Sequence, residues 1–282
     1  MNVDEIYHIL DSYAALRENF EIQKSFLKIK DAYLDFVLNQ PSNEVVNHEI
    51  PKIIWWCWLQ GVDNAPDICK VCLKTVIEHY PECDVILIDN NNVKELIDIP
   101  QYIIDKYNKG IISCAHYSDI IRLLLLCKYG GVWMDSTLYC TRHEDYLFES
   151  PLFMYKHLLR GVYGVPASNW LISAAPNHPI LRLTRDLLCS YWKQNDELEH
   201  YFIFHIFLLL SAEKYADLWN AIPLFSNVTP QLLRYELGNQ FSEKRFHQLK
   251  NMNGIHKLSY KLSKEIYFDG TFYDYIVNKE NK

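Results

Sequence analysis

The residue types best suited to chemistry lie between Ser118 and Thr137. They read Ser118-Asp119-Ile120-Ile121-Arg122, an apolar run, Tyr129-Gly130-Gly131, and then Val132-Trp133-Met134-Asp135-Ser136-Thr137. A carboxylate at a strand end, as Asp135 would be, can hold a divalent cation such as Mg²⁺ or Mn²⁺ that neutralises a diphosphate leaving group. The same carboxylate could instead only cap the turn into Ser136-Thr137. Gly130 and Gly131 would let backbone approach a ligand closely, although a helix C-cap accounts for one of them equally well. Asp119 and Arg122 are three residues apart and share a helix face. They can pair with each other, or Asp119 can accept from a ribose or base while Arg122 meets a pyrophosphate or orients Asp135. Further along, His256-Lys257 offers an imidazole for a cation and an ammonium for a phosphate, against the commoner role of a lone histidine in packing. His205 sits in an apolar run, where packing is again its default role. Of Trp55, Trp56 and Trp58, neighbouring rings alternate faces, so core packing is the default, with one ring near the strand end free to stack on a base or sugar.

These groups need elements to position them. Residues 1–45 read as helical, with apolar residues such as Ile6, Ile9, Leu10, Tyr13 and Leu16 near helical spacing, and end by Pro41. The following domain, residues 46–282, opens on Lys52-Ile53-Ile54-Trp55-Trp56-Cys57-Trp58, an apolar run short enough to be a buried strand. A helix from Asn64 and Pro66 to Pro81 and a second apolar strand, Val85 to Asp89, complete a strand–helix–strand unit whose strands should be parallel. Helices are predicted over 100–108 and 114–128, the second buried nearly all round. A third buried strand, 132–134, delivers Asp135. Strands at 152–155 and 170–174 and helices at 179–193 and 198–213 follow, and 254–261 reads as a strand or loop. Ligands of open α/β sheets sit at the carboxyl ends of strands, where Gln60 and Asp135 would stand.

Composition removes other classes. The 282 residues are 49% hydrophobic with 7 Trp, 20 Tyr and 13 Phe, enough for a full core. A net charge of −7 without a dense Lys/Arg block argues against nucleic acid as a partner. Eight scattered cysteines in mostly apolar runs read as reduced thiols. The acidic start Met1-Asn2-Val3-Asp4-Glu5 is unlike a signal peptide, and no run of about 18 apolar residues occurs, so a cytoplasmic protein without a transmembrane segment is expected. Gly-x-Ser-x-Gly, Walker and dinucleotide fingerprints are all missing, which lowers hydrolase, kinase and dehydrogenase readings.

Pro51-Lys52-Ile53-Ile54-Trp55, Gln60-Gly61 with Ala65-Pro66, His116 to Arg122 and Tyr129 to Asp135 together resemble the bacterial capsular polysaccharide synthesis proteins. These are similar to glycosyltransferases carrying an Asp-x-Asp motif. The resemblance runs on through Tyr201 to His205, Ile255 to Lys261 and Gly270 to Tyr273, covering about residues 50–275. It implies a glycosyltransferase A fold: a mixed, mainly parallel sheet flanked by helices, with residues 1–45 as an extension. It also implies a nucleotide-sugar donor, UDP-linked by expectation, a polysaccharide or lipid-linked saccharide acceptor, and retention of configuration. By motif, Asp135 and Lys257 would be catalytic, and Trp56, Gln60, Asp119, Arg122, Gly131 and His205 would bind the nucleotide sugar. Asp135 and His256 would hold Mn²⁺ or Mg²⁺. The chain departs from the motif at Thr137, which stands where the second acid belongs and leaves one carboxylate fewer for a cation. A silent sugar-binding subunit and a sugar-phosphate transferase stay open as alternatives. For residues 1–45, packing on the catalytic domain, dimerisation and attachment near membrane-bound acceptors all stay open.

Overall fold

The computed structural model describes residues 3–42, 44–157, 164–262 and 269–279, with side chains from Arg17 to Asn278. In chain order the elements are α1 (Val3–Leu38), β1 (Ile53–Cys57), α2 (Asp67–His79), β2 (Asp84–Ile88), α3 (Val93–Leu96), α4 (Gln101–Asn108), α5 (Cys114–Tyr129), β3 (Gly131–Asp135) and β4 (Leu138–Cys140). They continue with β5 (Leu152–Lys156), β6 (Ala167–Ala174), α6 (Pro179–Gln194), α7 (Ile203–Lys214), α8 (Ala216–Ala221), α9 (Leu232–Glu236), α10 (Glu243–Met252), β7 (Ile255–Lys257) and α11 (Phe272–Asp274).

Five strands form the central sheet in the order β2-β1-β3-β6-β5. β2, β1 and β3 are mutually parallel, β6 runs against β3, and β5 runs against β6. Four strands therefore share one direction and only β6 opposes it. This is the mixed, mainly parallel α/β architecture that the family resemblance implies, with β1 and β2 the parallel pair expected from the strand–helix–strand reading. β4 and β7 make a separate two-stranded antiparallel sheet, with Leu138 opposite Lys257 and Tyr139 opposite His256.

The sheet is apolar on both faces because helices cover both, which is why β1 shows a continuous apolar run in place of alternation. Trp55 packs with α5, α6 and α7 on one face, and Trp56 packs with α2 and the C-terminal elements on the other. The Trp55 indole N–H also donates to the Gly130 carbonyl at 2.8 Å, so truncating this ring to Ala would cost about 3–5 kcal/mol. α1 belongs to the same core: Phe26, Ile29, Tyr33 and Val37 join the Trp55 cluster, and Tyr33 meets the edge of Phe207 with ring centroids 5.3 Å apart. Its outer side leaves Phe20, Leu27 and Leu34 exposed at seven-residue spacing.

α5 starts where Ser113 Oγ accepts from the His116 N–H, and it stops at Gly130, whose φ of 70° a side chain would resist. Its residues are buried on nearly every side, as its composition requires. The helix expected over 198–213 begins only at Ile203, because the Phe202 N–H is turned onto His200 Nδ1 at 3.1 Å before the first helical turn. Asn64 lies in a short 3₁₀ turn, and α2 starts after Pro66. All eight cysteines are free thiols, as the scattered spacing indicated. Among the described residues no helix is long and apolar enough to cross a membrane.

Candidate active site

A cavity of about 780 Å³ opens at the carboxyl ends of β1 and β3. That volume lies within the usual range for a small-molecule site. Trp58, Gln60, Asp119, Arg122, Asp135 and His205 line it, with α1 adding Glu18, Asn19 and Ile22 to the wall.

Its floor is an ionic network built on Asp135. The Arg122 guanidinium sits between two carboxylates, 3.2 Å from Asp119 Oδ1 and 3.3 Å from Asp135 Oδ1. Arg122 therefore pairs with Asp119 on its own helix and also orients Asp135 across from it. Arg122 further donates to the Asn169 carbonyl at 2.6 Å and lies over the Trp133 ring, its guanidinium carbon 4.9 Å from the centroid. Asp119 accepts from the Asn169 side-chain amide at 2.9 Å. Asp135 Oδ1 also accepts from the Trp133 indole N–H at 2.9 Å, and Asp135 Oδ2 accepts from Lys257 Nζ at 2.9 Å. Lys257 Nζ additionally donates to Thr137 Oγ1 at 2.6 Å.

The two acids are tuned in opposite directions. Burial alone would raise both. At Asp135 the charges of Lys257 and Arg122, with hydrogen bonds from Lys257 and Trp133, outweigh it and hold the carboxyl below its ordinary value. At Asp119 burial wins over the Arg122 charge, and the carboxyl is raised. His205 is pushed down to about 3 by burial, then by the charges of Arg122 and His157, so its imidazole is neutral. Its Nδ1, with His157 Nδ1 and Asn227 Oδ1 on the same cavity wall, is buried without a partner among the described residues. Buried polar atoms left unpaired are costly, so an arrangement of this kind suits a hydroxyl-rich ligand.

Three of the sequence-predicted residues are placed away from the cavity. Trp56 lies in the α2-side core, and Trp58, one residue past β1, is the ring that lines the cavity. Gly131 is at the start of β3, four residues and roughly 13 Å from Asp135. At a φ of 91° an added Cβ there would stand 2.6 Å from the Ile53 carbonyl, so its smallness serves strand packing. His256 points to the opposite side of β7 from Lys257, as adjacent strand residues must. It is buried, its Nε2 lies 3.3 Å from Thr141 Oγ1, and burial lowers its pKa to about 3. Asp135, Lys257, Asp119, Arg122, Gln60 and His205 do converge. Sequence reasoning passed over Asn169, on the reversed strand β6 and without a motif, and also His157 and Asn227.

The donor set does not fit the expected divalent cation. Both Asp135 oxygens already accept from cationic groups, Thr137 offers a hydroxyl that Lys257 takes, and His256 faces elsewhere. Among the described residues no group of three His, Cys, Asp or Glu side chains could hold a metal. A dication about 4 Å from the Lys257 ammonium would meet a repulsion of roughly 8 kcal/mol at an effective dielectric of 20. Metal and ammonium would thus occupy this carboxylate in alternation.

A family profile described as capsular polysaccharide synthesis protein matches residues 8–276, most of the chain. The chain belongs to that family. Among curated proteins, the chain is 28% identical over 158 residues to inositol phosphoceramide mannosyltransferase 3 of Schizosaccharomyces pombe, covering 51% of this chain and 41% of that one. It is 29% identical over 155 residues to mannosyl phosphorylinositol ceramide synthase SUR1 of Saccharomyces cerevisiae, covering 54% of this chain and 37% of that one. The chain thus spans less than half the length of these relatives. Of solved structures, the PaToxG glycosyltransferase aligns over 83% of this chain and 95% of its own at 16% identity, with a TM-score of 0.45.

Proposed function

We propose that the protein is a glycosyltransferase that moves a sugar from a nucleoside diphosphate sugar to a saccharide acceptor, with retention of configuration. The observation that carries the reading is the Asp135–Lys257–Arg122 network flooring a cavity of about 780 Å³ at the carboxyl ends of parallel strands. It supplies fixed positive charge where a diphosphate would leave. Family membership and relatives named as mannosyltransferases support the same reaction class. A UDP-sugar is the expected donor, and a mannosyl donor belongs beside it in any test because of those names. A polymeric or lipid-linked saccharide is the expected acceptor.

In this reading Trp58, past the end of β1, stacks on the base, while His205, His157 and Asn227 receive sugar hydroxyls with their unpaired atoms. Asp119 and Arg122 fix the nucleotide end. The bond between the anomeric carbon and the phosphate oxygen breaks with its electron pair going to the diphosphate. The acceptor hydroxyl oxygen attacks from the same face, and its proton passes to the departing phosphate oxygen. Lys257 and Arg122 stabilise the developing negative charge, which is the electrostatic contribution expected of preorganised cations. No side chain is required as a covalent nucleophile.

The test is a panel of nucleotide sugars, scored for release of nucleoside diphosphate by the purified protein and by Asp135→Asn. Turnover with at least one donor, lost in the variant while the melting temperature is held, supports the proposal. Turnover that survives in Asp135→Asn refutes the site. Donor binding with no turnover on any acceptor would favour a silent sugar-nucleotide-binding subunit, the reading that Thr137 in place of an acid suggests.

A further inference from the structure

Lys257 occupies the space between the first and third positions of the Asp-x-Asp motif. Its Nζ lies 2.9 Å from Asp135 Oδ2 and 2.6 Å from Thr137 Oγ1. Those are the two side chains between which a motif-bound cation would sit. The position is enforced by the backbone, because β4 and β7 pair with Leu138 directly opposite Lys257. The Leu258 N–H then donates to the Thr137 carbonyl at 2.9 Å, which fixes the strand just past the lysine.

We infer that the donor diphosphate is held without a divalent cation, with the Lys257 ammonium and the Arg122 guanidinium together standing in for the metal; the inference rests on the donor-site reading above. The charge sum agrees with this. Two carboxylates, Asp119 and Asp135, with two fixed cations, Arg122 and Lys257, total zero, as two carboxylates and one dication would. An ammonium has three N–H donors. Among the described residues two of them have partners, Asp135 and Thr137, which leaves the third for a phosphate oxygen. Lys257 Nζ contacts Asp135, which lines the cavity, and its side chain keeps about a fifth of its surface exposed, 19%, which leaves it open to an anion. Thr137 then has a positive role. A hydroxyl accepts from the ammonium without adding a charge, whereas an aspartate there would cancel the cation and invite a metal.

The experiment uses the whole protein, with UDP and GDP as probes, titrated calorimetrically in EDTA and again in Mn²⁺. The expected result is that at least one probe binds with a dissociation constant that changes less than about threefold between the two conditions. Lys257→Met should weaken that binding in EDTA by roughly ten- to a hundredfold, the loss expected for one charge-assisted hydrogen bond. Manganese alone, followed by the electron paramagnetic resonance of the free ion, should show no site in the wild type that Asp135→Asn removes. The Thr137→Asp/Lys257→Met double variant should gain one. Binding of the probes only with Mn²⁺, or an Asp135-dependent manganese site in the wild type, overturns this inference and leaves the donor reading intact. If neither probe binds in either condition, the donor reading falls and the inference with it. The wild-type comparison needs no variant to fold.

Discussion

Replacing Arg122 by methionine tests the buried network directly. Arg122 and Asp119 side chains are 6% and 10% exposed, so they form an ion pair largely removed from water. Methionine keeps the apolar stem against Trp133 and Phe204 but removes the charge. Asp135 would keep Lys257 and the Trp133 indole, whereas among the described residues Asp119 would keep the Asn169 amide as its one side-chain hydrogen bond. The cost is therefore dominated by Asp119 and should be about 3–5 kcal/mol, the usual penalty for stripping one partner from a buried pair. Adding Asp119→Asn removes the stranded charge, and the double variant should recover about 2 kcal/mol relative to Arg122→Met alone. The pH dependence gives an independent check. The Asp119 pKa is already raised in the native state by burial, and losing Arg122 raises it further. A carboxyl whose folded pKa exceeds its unfolded value contributes stability below the unfolded value, about 3.9, and loses it as pH rises through the folded one. The Arg122→Met penalty should accordingly be smallest near the unfolded value, about 3.9, and grow as pH rises above it. Urea titrations at several pH values measure both quantities. A penalty under about 1 kcal/mol, flat with pH and unchanged by Asp119→Asn, would refute the argument.

Two further predictions rest on burial and on backbone geometry. His205 and His256 are held near pKa 3 and His178 near 4 by burial, against about 6.5 when unfolded. Their stability contribution is full above pH 6.5 and falls as pH drops toward the folded values, by about 2 kcal/mol for each imidazole at pH 5. A urea midpoint that does not move between pH 7 and pH 5 would contradict it. Gly131→Ala, with a Cβ 2.6 Å from a backbone carbonyl at a φ of 91°, should cost about 3 kcal/mol or more. Gly110→Ala, at a φ of 73° with no atom within 4 Å of the added carbon, should cost only about 1 kcal/mol. Equal denaturation midpoints for the two variants would overturn the packing explanation.

The sheet was readable where burial on both faces writes an uninterrupted apolar run, as in β1 and β3, whereas the edge strand β2 was readable from its apolar run Val85 to Ile88 although Leu87 is exposed. β4 escaped because three residues, Leu138–Cys140, are too few for any period to appear. Helix α10 escaped because a polar decapeptide shows little apolar stripe, though Ser242 caps it by accepting from the Arg245 N–H. The cavity residues on α5 and at the end of β3 were legible because a charged pair in an otherwise apolar helix demands a partner. What the sequence left undecided was parity. His256 and Lys257 are neighbours, and nothing in residue type says which one a strand turns toward the cavity. Asn169, His157 and Asn227 come from segments without a motif, and only the folded chain gathers them.

Asp135 and Lys257 are 122 residues apart in the chain. During synthesis a ribosome must therefore build the whole sheet before the ammonium exists, and β7 must then find β4 through a contact of high sequence separation, which is slow to close. Until that docking is made, Asp135 and Arg122 face each other without the third charge. A nascent or partly unfolded chain could shape much of the cavity while lacking the ammonium proposed to stabilise a leaving diphosphate. The activity would then appear late and abruptly as the chain matures, and it would vanish on any loosening of the three-residue pairing between β4 and β7, well before the five-stranded sheet melts.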